Sequence, residues 1–251
     1  LRAWVARMAG DLDAMAEDLT ELVALAAARG DLDLRRKAFG ARAIERRERG
    51  LYAEAAACAA RALSLARRAE TPDPIQSALG NLGAFRIEVG DWTGAESALR
   101  EAAELARRLG DPVREVNALM MLAEAERALP GGRDRALATL DWALTVTTDA
   151  AIDAVELLWS RWCLTRAPDD GRAWWNATAG REATPLLAAQ RAAHTIDGAI
   201  RAGDVGDLAA RFEAMARLIA EVRPRPEVQE LPLSVARDAA SLAVNLGDAA
   251  L

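Results

Sequence analysis

The sequence has one histidine, two cysteines and one tyrosine, and each scarcity removes a class of chemistry. A single imidazole cannot supply a His-pair metal site, and no HExxH occurs. A Ser-His-Asp triad would have to rest on His194, which sits mid-helix beside an apolar face. Cys58 and Cys163 stand far apart with no CxxC; no disulfide framework is encoded, which fits a reducing cytoplasm. Both fall in apolar helical contexts, where cysteine behaves as a small hydrophobe. There is no GxxxxGK phosphate loop. The acidic residues read as helix caps and as surface partners of nearby Arg, not as a paired-carboxylate site. No cofactor or metal is implied, and the chain does not read as an enzyme.

Two further absences concern partners. No apolar run approaches the roughly 18 residues that cross a bilayer, and LRAWVARMAG has no charged head leading into a signal core. Nor is there a basic excess: 32 basic residues face 38 acidic ones, for a net charge of −6. Nucleic-acid binding asks for a basic face, so this segment is not expected to bind nucleic acid. Lys37 is the one lysine; with so much Ala and Arg this is the mark of GC-rich coding, as in a high-GC bacterium. A composition 52% hydrophobic and 28% charged is that of a folded, non-membrane chain.

What is present is a beat. Gly-Asp recurs at Gly10-Asp11, Gly30-Asp31, Gly90-Asp91, Gly110-Asp111, Gly203-Asp204, Gly206-Asp207 and Gly247-Asp248, and Gly50 fills a missing place. Glycine takes the left-handed conformation that ends a helix, and aspartate caps the free N–H groups of the next. A beat near twenty residues therefore predicts short antiparallel helices joined by tight turns. The double beat is stronger. At an offset of forty, Gly50 meets Gly90, Tyr52 meets Trp92, Ala55 meets Ala95, Ala62 meets Ala102, and Leu65-Ala66-Arg67-Arg68 meets Leu105-Ala106-Arg107-Arg108. Stepping back forty, Gly10, Leu12, Met15, Leu22 and Leu25 take the same places. Such self-similarity marks a helical-hairpin solenoid.

Leu79, Leu82-Gly83, Gly90, Trp92, Ala95, Leu99 and Ala102 resemble the tetratricopeptide repeat (TPR). Small residues at Gly83 and Ala95 would let the two helices of a hairpin cross closely. Arg86 stands where the family has an aromatic, and the period is nearer forty than thirty-four, as in the long repeats of bacterial signal-transduction ATPases and large transcriptional regulators. The resemblance implies an all-α fold, a right-handed superhelical α-solenoid of roughly six antiparallel TPR-like hairpins. A single solenoid is expected over 1–251, with regular repeats over 1–149, an irregular one over 150–185 and further repeats over 186–251. Within the irregular part a short helix is expected near Arg172 to Ala179, then a loop to Pro185. RPRPEVQELP reads as a connector, followed by a last helix near Pro232 to Leu246. Both ends read as cut within a repeat of a larger protein.

The resemblance also implies where binding would occur. First helices of TPR hairpins line a concave groove that takes a protein or peptide. By position they offer Lys37, Ile44, Arg47 and Glu48 in one repeat, then Ser77, Ala84, Ile87 and Glu88. Asn117, Met120, Glu124 and Arg127 follow, and later Gln190, Asp197 and Arg201. The family's carboxylate-clamp places hold Gly40/Ile44, Gly80/Ala84 and Met120/Glu124, so that clamp is absent. Trp159 and Trp162 occupy packing positions. Adjacent helix residues point about 100° apart, so Trp174 and Trp175 cannot both fill one interior slot; one is expected in the core and the other as a partner anchor. Two functions follow: a cytoplasmic, non-catalytic protein- or peptide-binding scaffold in a larger signalling or regulatory protein, or a sensor holding a small molecule or peptide in the groove or near the Trp-rich repeat. Other domains of the parent chain are further candidate partners.

Overall fold

The computed structural model describes residues 2–150, 152–182, 184–203 and 207–222. Among these there are twelve helices and no strand. They are α1 (Arg2–Met8), α2 (Leu12–Ala28), α3 (Leu32–Glu48), α4 (Tyr52–Arg68), α5 (Pro72–Glu88), α6 (Trp92–Leu109), α7 (Pro112–Ala128), α8 (Arg133–Ala150), α9 (Val155–Thr165), α10 (Pro168–Ala177), α11 (Pro185–Arg201) and α12 (Leu208–Val222). The connector and last helix expected over 223–246, Asp204, Gly206 and Gly247-Asp248 lie outside the described residues. The chain divides into two compact units, residues 1–157 and 158–251.

In the first unit the beat works as the backbone rules require. Gly90 and Gly110 have φ of +78° and +68°, left-handed values that cost a side-chain-bearing residue most. Asp11, Asp31, Asp91 and Asp111 then cap the next helix, each carboxylate accepting the backbone N–H three residues on at 2.9–3.0 Å. Two turns depart from the pattern. Leu51 and Thr71 cap α4 and α5 without a side-chain hydrogen bond, and Glu70 takes the glycine position at φ +53°.

Each helix of this unit packs on the next in chain order from α1 to α8, and α5 also touches α7. That adjacency of alternate helices makes α3, α5 and α7 one layer and α4, α6 and α8 the other. The crossing within a hairpin is close. A β-carbon built on Gly83 would lie 2.5 Å from Leu99 Cδ2, and Ala95, Ala98, Leu99 and Ala102 of α6 are all buried. Arg86, in place of an aromatic, ties the turn instead: Nη1 donates to the Gly94 carbonyl at 2.9 Å and Nε lies 3.4 Å from Asp91. Leu25, placed on the beat by sequence, is exposed, while Met15, Leu19 and Ala26 carry the burial of α2.

The second unit is irregular. α10 begins at Pro168, earlier than the sequence suggested, because proline is suited to the first helical turn and Asp169-Asp170 complement its N-terminus. Gly171 permits the approach of α11: a β-carbon there would meet His194 Nε2 at 2.6 Å and Trp162 Nε1 at 3.1 Å. α12 packs on α11.

Candidate functional site

α3, α5 and α7 begin forty residues apart, so their residues align in rows. Lys37, Ser77 and Asn117 form the first row; Lys37 and Asn117 are exposed and Ser77 is half-buried. Lys37 lies 2.7 Å from Asp33, and Lys37 and Arg36 together hold the Asp33 carboxyl below the usual carboxylate range. Gly40, Gly80 and Met120 form the second row, half-buried. A β-carbon on Gly40 or Gly80 would meet nothing within 4 Å. Ile44, Ala84 and Glu124 form the third, also half-buried.

The last rows hold a different device. Arg7 Nε donates to Glu48 at 2.7 Å, and Arg47 Nε lies 3.6 Å from Glu88. Both pairs span forty-one residues and join successive first-layer helices. Arg47, Glu48 and Glu88 are thus already committed to each other's repeats, with about a fifth of each side chain exposed. Ile87 and Arg127 sit beside them, half-buried. At the other end of the same layer Arg114 pairs with Asp73, again forty-one residues away.

Between α3 and α5 lies a cavity of about 30 Å³. Its walls are Ala43, Ala59, Ala62, Ala78 and Phe85, and its polar members are Arg36, Ser77 and Asn81, beside Gly40. Arg36 and Asn81 were not singled out from sequence. They lie one residue off the rows that the family pattern marks, a rotation of about 100° that only the packed helices resolve. On the opposite layer, α6 carries a shallow hollow of about 440 Å³ lined by Thr93, Glu96, Ser97, Arg100, Glu101 and Glu104. Its charges are largely used in ion pairs: Arg100 and Arg135 donate to Glu96 at 2.9 and 2.6 Å, and Arg67 to Glu101 at 2.7–2.8 Å. Arg100 also reaches buried Glu126 at 2.9 Å, which accepts from Thr139 at 2.7 Å.

In the second unit the tryptophans gather around His194. Ring centroids lie 5.0 Å apart for Trp159–Trp162 and 4.8 Å for Trp159–Trp174. His194 stacks at 5.0, 5.6 and 5.4 Å from Trp162, Trp174 and Trp175. Burial lowers the His194 pKa, with Asp197 opposing and Arg201 assisting. The adjacent pair divides as helical geometry demands: Trp174 is 0% exposed and Trp175 42%. Trp174 is therefore core and cannot anchor a partner or serve as a lid. Gln190 is a second correction. It is 1% exposed, because α11 turns Leu187, Gln190, Ala193 and Ile196 inward. Asp197 and Arg201 remain at the surface side of α11 as an ion pair at 2.7 Å. Cys58 is buried and Cys163 half-buried; burial pushes the Cys58 thiol pKa up. Among the described residues no cluster of His, Cys, Asp or Glu could hold a metal, and no helix is long and apolar enough to cross a membrane.

No protein-family model and no curated protein matches the sequence. Solved structures match the fold. BtubC (BKLC) from P. vanneervenii aligns with a TM-score of 0.63 at 15% identity, over 85% of this chain and 91% of that one. A Rap protein complexed with competence and sporulation factor aligns with a TM-score of 0.64 at 15% identity, over 96% of this chain and 68% of that one. The fold is that of a helical-repeat protein. At this identity the likeness extends to architecture and no further.

Proposed function

We propose that this chain is a non-catalytic binding module that holds a protein or peptide against the row of first helices α3, α5 and α7. The observation that carries the reading is the pair Gly40 and Gly80. Glycine inside a helix costs about 0.5–1 kcal/mol relative to alanine. Gly83 has a packing reason for that cost, since Leu99 fills its side-chain space. Gly40 and Gly80 have none, because nothing lies within 4 Å of where their β-carbons would be. Equivalent glycines in two successive repeats keep this floor low, which is what close approach of a ligand backbone requires. Lys37, Ser77, Asn81 and Asn117 supply polar groups beside the floor, with Met120, Glu124, Ile87 and Arg127 continuing it. Arg47, Glu48 and Glu88 act as its braced edge. In the second unit Trp175, Asp197 and Arg201 are the contact candidates. The long repeats place the module in a bacterial signalling or regulatory protein of the cytoplasm, where other domains of the parent chain read its occupancy. A known helical-repeat structure that holds a signalling factor is in keeping with this reading.

The test uses peptides selected from a display library on the whole protein. Selected peptides should bind wild type and lose at least about tenfold in affinity with Gly80→Gln or Arg127→Glu. Gly80→Gln should melt no lower than wild type. Peptides that bind both variants unchanged would remove this row as the site.

A further inference from the structure

The aromatic nucleus of the second unit contains more hydrogen-bond donors than it can satisfy. An indole N–H can donate and has no capacity to accept, and a guanidinium is the same. Trp159 and Trp174 are 2% and 0% exposed, and the Nε1 donor of each is buried without an acceptor. Arg166 adds a third. Its guanidinium lies 4.6 Å over the Trp162 ring, and its Nη1 is likewise buried without an acceptor. Three donor-only groups thus surround rings that touch one another, and no carboxylate among the described residues pairs with Arg166. The acids nearby are taken: Asp170 accepts from Arg161 and from Thr165, and Asp169 from Arg172.

The backbone gives Arg166 a second peculiarity. It ends α9 at φ +53°, the conformation handed to glycine after α6. Glu70 shares the conformation but projects from an exposed turn. Arg166 instead keeps a costly side chain on an aromatic face. Strain retained at a residue with a buried, unanswered charge is a feature of ligand sites.

We propose that this nucleus binds a small monocarboxylate, whose oxygens accept from Arg166 and from the unanswered indole N–H of Trp159 or Trp174 while its apolar body lies against the rings. The charge selects the class. One cation in an apolar surrounding is balanced by one negative charge, whereas a phosphate dianion would carry a charge left uncompensated. Planar carboxylate also suits the planar guanidinium fork. The acid can be free or the terminus of a peptide, since both present the same group. The inference stands apart from the first-helix row and can fail without it.

Calorimetric titration of the whole protein with benzoate tests the site, beside benzamide as the uncharged equivalent and inorganic phosphate as the dianion. Benzoate should bind saturably and benzamide at least about tenfold more weakly. Arg166→Gln should lose benzoate affinity by about tenfold or more, and Arg166→Lys should restore part of it. Trp159→Phe, which keeps a ring and removes the donor, should weaken benzoate without lowering the circular-dichroism signal, so a folding defect in the Arg166 variants would leave a working test. A pair of short peptides, one with a free and one with an amidated terminus, separates the sources. Tighter binding of the free-ended peptide than of benzoate supports the proposal with a chain end as ligand, and silence of both peptides beside binding of benzoate supports it with a free acid. Equal binding of benzoate and benzamide, preference for phosphate, no saturable heat, or unchanged binding in both Arg166→Gln and Trp159→Phe would overturn it.

Discussion

Leu99 of α6 occupies the space that a side chain on Gly83 of α5 would need, while three residues earlier on α5 the side-chain space of Gly80 is open. The two glycines therefore answer oppositely to substitution. Gly83→Leu should force α5 and α6 apart and destabilise the protein by about 1–3 kcal/mol. Gly40→Ala and Gly80→Ala should each stabilise it by about 0.5–1 kcal/mol. Thermal melts of the three variants decide the matter; a lower melt for Gly80→Ala would show that this glycine has a packing role after all.

The irregular turns are correctable. Glu70→Gly should remove left-handed strain worth about 1 kcal/mol, and Leu51→Asp should supply the missing cap of α4 for about another 1 kcal/mol. Leu51 is 38% exposed, so little burial is lost. The sites lie in separate turns, and urea midpoints should rise nearly additively in the double variant.

Trp174 and Trp175 should differ sharply despite being neighbours. Trp174→Ala removes a fully buried ring and should cost about 3–5 kcal/mol. Trp175→Ala should cost less than about 1 kcal/mol and act chiefly on partner affinity. Equal losses of stability would contradict the division between core and surface.

His194 makes the second unit pH-sensitive in one direction. Its folded-state pKa is depressed by burial, against Asp197 and with Arg201, so the unfolded chain binds the proton more readily. Stability is full above about pH 6.5 and falls as pH drops from there toward the depressed folded value. Melts between pH 7.5 and 5 on His194→Gln and wild type should show a shallower slope for the variant. An identical slope would assign the sensitivity to other groups.

Much of the fold was legible because its rules are local. A glycine that ends a helix and an aspartate that caps the next act within four residues, so Gly90-Asp91 and Gly110-Asp111 announce themselves. The close crossing at Gly83 followed from residue size, and the opposed fates of Trp174 and Trp175 from helical geometry alone. Positions that depend on helix rotation were less legible. Gln190 stands at the same helical position as Asn117, yet α11 presents that side to the interior where α7 exposes it. The forty-residue period does not carry through the irregular repeat, so the register extrapolated from the first unit misplaces it. Arg47, Glu48 and Glu88 were legible as first-helix residues but not as mutual partners, since pairing across forty-one residues depends on how successive repeats are laid side by side. Arg166 gave no signal, because a left-handed backbone at arginine is not written in residue type.

The Arg7–Glu48 and Arg47–Glu88 clasps share one separation, and that makes the chain editable in whole repeats. Excising residues 41–80 would fuse the first half of α3 to the second half of α5, giving a helix of the same length as either. Arg7 would then face Glu88 at the distance in sequence it now keeps from Glu48. The helix-ending glycines and capping aspartates on either side would be untouched. An array with interchangeable joints can lengthen or shorten by unequal recombination without passing through an unfolded ancestor, and span then becomes a property that selection can set separately from contact chemistry.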